Sequence, residues 1–105
     1  MELIKQLHDE AMYYCQLAIM AYNRGSARIA KKLYKKALPY EVKAATLLGI
    51  SEKNEPSRSI LYRSAANIAF NCDLFEDSRY LAIKGITRFA PPKIKDELWD
   101  ILNKF

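Results

Sequence analysis

Arg63, Asn67 and Asn71 stand four residues apart, the step that brings side chains up one face of a helix. A guanidinium followed by two carboxamides could grip a peptide carboxylate or a peptide backbone. A second set, Arg28, Lys31, Lys32, Lys35 and Lys36, gathers cations on one side of another helix. Five phosphate contacts there would give a log–log salt slope of about −4.5. No aromatic residue interleaves the lysines on that face, and no helix-turn-helix or other nucleic-acid module accompanies them. The segment Glu55–Arg63 begins with Ser57, Arg58 and Ser59, a helix start that could receive an anion. Ordinary capping accounts for its serines equally well.

Catalytic constellations are missing from the pattern. His8 is the one histidine, flanked by Asp9 and Glu10. Nucleophilic catalysis needs a base held against its serine or cysteine, and this histidine reads as a solvated or half-buried structural residue. Cys15 and Cys72 form no CxxC pair, so zinc lacks the ligands it needs. Their apolar helical surroundings suit buried free thiols, which points to a reducing, cytoplasmic setting. Glu76, Asp77, Asp96, Glu97 and Asp100 read as exposed acids, several in first turns where the helix dipole favours them. With no GxSxG and no glycine-rich phosphate loop, the chain reads as non-enzymatic, with neither cofactor nor metal.

The elements that must position these residues follow from composition. The chain has 105 residues, half of them hydrophobic and 28% charged, the balance of one folded domain. Three glycines and four prolines beside abundant Ala, Leu and Lys favour helix. Seventeen bases against twelve acids leave a net charge of +5, a mild bias toward anionic partners. The opening MELIKQLHDEAM carries acids early, and no apolar run nears about 18 residues, so the chain is expected to be neither exported nor membrane-bound.

Five helices can be drawn. The first runs from Glu2 to Arg24 and stops at Gly25. The second is capped by Ser26 and continues toward Leu48, with a kink or break expected at Pro39. Residues 49–55 form a polar linker. Pro56 opens the third helix, which reaches Asn71. A turn at Cys72–Leu74 leads to a fourth, ending before Pro91 and Pro92, and a fifth spans Lys93–Lys104. The domain thus divides into a first hairpin (1–48), the linker, a second hairpin (56–90) and a capping helix (91–105).

Residues 11–42 laid over 59–90 uncover a repeat offset by 48 positions. Tyr14 matches Tyr62, Leu17 matches Ala65, Ala18 matches Ala66 and Ala21 matches Ala69. Tyr22 faces Phe70, Gly25 faces Asp73, Ala30 faces Ser78 and Ala37 faces Gly85. Small residues at fixed steps let antiparallel helices approach closely. This order resembles the tetratricopeptide (TPR) family, with Tyr14, Leu17, Ala18, Gly25, Ala30, Tyr34 and Ala37 in register. Ala21 departs from the family's tyrosine, Pro39 comes three residues early, Asp73 replaces the turn glycine and Ala82 replaces a large aromatic.

The resemblance implies an all-α superhelix of antiparallel hairpins whose first helices line a concave surface. Placed on the family pattern, Met12, Cys15, Ile19, Tyr22 and Asn23 line it from the first copy. Ile60, Arg63, Asn67, Phe70 and Asn71 line it from the second. It further implies a non-enzymatic adaptor that takes a peptide or partner helix, with Tyr22 and Phe70 as apolar contacts and Arg63, Asn67 and Asn71 as polar anchors. Nucleic-acid binding through the basic face, and a structural place in a larger assembly, are the alternatives. Repeat arrays generally need about three units to bury their faces, so a homodimer is a further expectation.

Overall fold

Gly25 ends the first helix, α1 (Glu2–Asn23), because it takes the left-handed conformation at φ 89° without a Cβ penalty. The computed structural model describes residues 2–105. Its other helices are α2 (Ala27–Thr46), α3 (Ser57–Asn71), α4 (Phe75–Gly85) and α5 (Pro92–Leu102), with a single 3-10 turn at Glu52–Asn54 and no strand among the described residues. The fold is all-α, its helices paired as hairpins.

The 48-residue offset recurs in the backbone. Gly25 N–H donates to Tyr22 O at 2.9 Å, and Ser26 N–H donates to Ala21 O at 2.9 Å. Between α3 and α4, Asp73 N–H donates to Phe70 O at 3.1 Å and Leu74 N–H to Ala69 O at 2.9 Å. Asp73 is also left-handed, at φ 66°, which a short polar side chain tolerates better than most. Its carboxylate holds Lys31 Nζ at 2.6 Å, tying α2 to the second turn.

Both hairpins cross on small residues. Ala18 and Ala30 are buried in the first; Ala66 and Ser78 are buried in the second, where Ser78 Oγ–H donates to Ala66 O at 2.8 Å. Further along, Gly85 replaces Ala37. A Cβ on Gly85 would lie 2.9 Å from Tyr62 Cβ and 3.0 Å from a Leu98 methyl, closer than packed atoms allow. Here α3, α4 and α5 converge, and Tyr62 and Leu98 are among the largest fully buried side chains.

Two features sharpen the sequence expectation of a kink or break at Pro39 and of a fourth helix ending before Pro91. α2 runs unbroken through Pro39 to Thr46. Pro39 lies on the exposed side, so the Lys35 carbonyl that loses its helical donor faces water, while Ala44, Ala45 and Leu48 bury the following turns. α4 stops at Gly85, well short of Pro91. The cause is Arg58, only 3% exposed, whose Nη1 donates to Lys84 O at 2.9 Å and whose Nε donates to Leu48 O at 3.2 Å. With Tyr62 beneath it at 4.7 Å, this guanidinium closes the helix end. The serine- and arginine-rich start of α3 therefore holds carbonyls of its own chain, and Arg58 is not open to an external anion.

Candidate partner-binding groove

α1 has a wider apolar stripe than one partner helix can cover. Ala11 and Ala18 are wholly buried. Beside them Met12 and Cys15 are half-buried, and Ile19 and Tyr22 are exposed. α3 packs on α2, α4 and α5 but scarcely approaches α1. The two helices nevertheless run side by side in the same direction. Their N-terminal ends enclose a recess of about 220 Å³ lined by Ile4, Lys5, His8, Ser57, Ile60 and Leu61. A second, of about 290 Å³, lies mainly between α1 and α2, lined by Ile19 and Tyr22 of α1 and by Ala27, Ala30, Lys31 and Tyr34 of α2, with Asn71 reaching it from the end of α3. Ile4 and Tyr22, one in each recess, stand roughly 27 Å apart at the helical rise. From α3 the recesses take Ser57, Ile60 and Leu61 at one end and Asn71 at the other.

A buried carboxylate lies behind the groove. Glu41 is fully buried, and its two oxygens lie 2.9 and 3.0 Å from His8 Nδ1. His8 thus bridges the core and the groove. Burial, helped by the charge of Glu41, pushes the Cys15 thiol up to about 11, so it stays protonated and unreactive at neutral pH. Burial also raises Tyr34, with Cys15 adding to the effect and Asn71 opposing it. Its phenol is therefore a neutral donor. Burial likewise raises Cys72, whose thiol leans on Ile68 O at 3.3 Å.

The structure divides the polar anchors read from the sequence. Tyr22 and Asn71 meet in the same recess. Asn23 is exposed at the end of α1, and Asn67 is half-buried on α3. Arg63 turns away to α5, where Nη1 donates to Glu97 Oε1 at 2.8 Å. Phe70 packs edge-on against Phe75 at 5.2 Å and Phe105 at 6.0 Å, with Lys104 Nζ 4.6 Å from its ring centre. Each step of four residues rotates about 40° around the helix, so the Arg63–Asn67–Asn71 row winds from α5 toward α1. A joint three-residue grip does not form.

On α2, Lys31 is neutralised by Asp73. Arg28, Lys32, Lys35 and Lys36 are exposed with no acidic partner among the described residues. Sequence reasoning missed Glu41 and Arg58 as interior groups. The signal was present: Glu41 follows Ala30, Tyr34 and Ala37 at helical spacing, and Arg58 precedes Tyr62, Ala65 and Ala69 on the buried side of α3. Among the described residues no helix is long and apolar enough to cross a membrane, and no three His, Cys, Asp or Glu converge on a metal position. No protein family, curated protein or solved structure matches this chain.

Proposed function

We propose that this chain is a non-enzymatic interaction module of TPR-like hairpins that docks a partner helix or extended peptide between α1 and α3. One observation carries the reading: α3 scarcely approaches α1, and recesses stay open beside Ile4 and His8 at one end of α1 and beside Ile19 and Tyr22 at the other. Recesses lined by Ile4, Ile60 and Leu61 at one end and by Ile19, Tyr22 and Asn71 at the other suit a largely apolar segment that carries a few polar groups. Tyr22 and Ile19 supply apolar anchors, and Asn71 with the Tyr34 hydroxyl supplies hydrogen bonds. His8 offers a further polar contact at the other end.

A photocrosslinking side chain at position 22, compared with one at the exposed Tyr13 on the opposite face of α1, tests this in cells. A defined adduct is expected from position 22, none from position 13, and loss of the adduct when Ile19→Asp is added. Equal labelling from both positions, or labelling indifferent to Ile19→Asp in a protein of unchanged helicity, overturns the reading.

A further inference from the structure

A further recess shares no residue with the two that border α1 and α3. It lies between α2 and α4, has a volume of about 320 Å³, and is lined by Leu38, Pro39, Val42, Tyr80 and Leu81, with Asp77 as its one acidic lining residue. α2 contributes six basic residues and a single acid. That acid, Glu41, is wholly buried against His8. The outer surface of α2 therefore carries cations alone, and only Lys31 has an acidic partner among the described residues.

The cations border the recess. Lys35, Pro39 and Lys43 follow at steps of four along α2, so a lysine stands one turn to either side of the proline. On the opposite wall Lys84 lies 5.5 Å from the centre of the Tyr80 ring. Pro39 also leaves the Lys35 carbonyl without its helical donor, which offers an acceptor to an incoming N–H. Apolar lining, lysines that flank it on α2, Lys84 beside Tyr80 against the single acid Asp77 on α4, and the Lys35 carbonyl together fit one kind of occupant.

We propose that the α2–α4 face is a second docking surface, for an acidic protein segment that seats apolar side chains between Pro39 and Tyr80. Charge complementarity selects the partner's acids, and the recess selects its apolar anchors. Nucleic acid fits less well. Bases stack on open aromatic faces, whereas Lys84 covers a face of Tyr80, and the lining offers a phosphate backbone nothing beyond the lysines. This surface is independent of the α1–α3 groove.

The test uses the full chain and a fluorescein-labelled 15-residue probe peptide in which Leu and Phe alternate with Asp and Glu. Fluorescence anisotropy compares it with two control peptides, one with the acids changed to amides and one with Leu and Phe changed to Ser. A single-stranded and a duplex oligonucleotide complete the series. The acidic apolar peptide is expected to bind about tenfold or more tightly than either control. Lys35→Glu with Lys43→Glu, and separately Tyr80→Ala, should each weaken it about tenfold, while Ile19→Asp with Tyr22→Ala leaves it unchanged. The proposal fails if the Ser-containing control binds as well, if Tyr80→Ala has no effect, or if no peptide binds. Oligonucleotide binding that exceeds the peptide's and ignores Tyr80→Ala assigns the face to nucleic acid instead. Loss of peptide binding on Ile19→Asp with Tyr22→Ala assigns the peptide to the other groove.

Discussion

In the first hairpin Gly25 turns the chain at φ 89° and α2 runs twenty residues beyond it; in the second, Asp73 turns it at φ 66° and α4 stops after eleven. The turns share their hydrogen bonds and the crossings share their small residues. What differs is the neighbours. α3 is covered by α2, α4 and α5, whereas α1 has only α2. One hairpin plan therefore yields a buried helix in the second copy and a half-open one in the first. The interior ionisable groups differ too. The second hairpin buries a guanidinium, Arg58, on two backbone carbonyls, and the first buries a carboxyl group, Glu41, on a histidine.

The sharpest way to break this comparison is to remove each buried group's role in turn. Arg58→Ala orphans two carbonyls and opens a hole over Tyr62, so urea unfolding should lose about 3–5 kcal/mol. His8→Ala leaves the fully buried Glu41 without a partner, but His8 is partly exposed, so water can enter the space it vacates and a loss of about 2–3 kcal/mol is expected. If His8→Ala proves the costlier, the second hairpin is not the more tightly built.

A smaller effect tests the matched pair Ala37 and Gly85. Gly85→Ala drives a methyl into Tyr62 and Leu98 and should lower stability by about 1–3 kcal/mol, although alanine is the better helix former. Ala37→Gly should cost about 1 kcal/mol, from helix propensity and a lost buried methyl. Thermal unfolding of both variants decides the matter. A stabilised Gly85→Ala would show that α4 does not wedge between α3 and α5.

The smallest effect concerns Cys15. Its thiol, raised from 9.0 to about 11, keeps its proton in the folded chain after an unfolded chain has lost it. The native state then binds more protons between those values, so this group's contribution to stability falls as pH rises from about 9 to 11. Iodoacetamide should label Cys15 slowly at pH 8 and faster toward pH 11. Cys15→Ser should remove that labelling step.

Much of the fold is legible in the chain. Gly25, Pro56 and the Pro91–Pro92 pair mark boundaries because their backbone constraints act locally. Ala18, Ala30, Ala66 and Ser78 mark the crossings because only small residues suit a close approach. The end of α4 was not legible, since it depends on Arg58 arriving from another helix to take the Lys84 carbonyl. Nor was the passage of α2 through Pro39, which rests on burial of the turns beyond it. Among the candidate site residues, Tyr22 and Asn71 line one recess, whereas Arg63 and Phe70 are claimed by Glu97 and by the Phe75–Phe105 cluster.

Sequence alone determined the helices, their hairpin pairing and the repeated turn, because these depend on the backbone preferences of a few adjacent residues and on periodicity. Tertiary structure decided which faces stay open, where Arg63 points, and that Glu41 and Arg58 lie inside. A helix presents every direction around its axis, and only the neighbours packed against it fix which of those directions meets solvent.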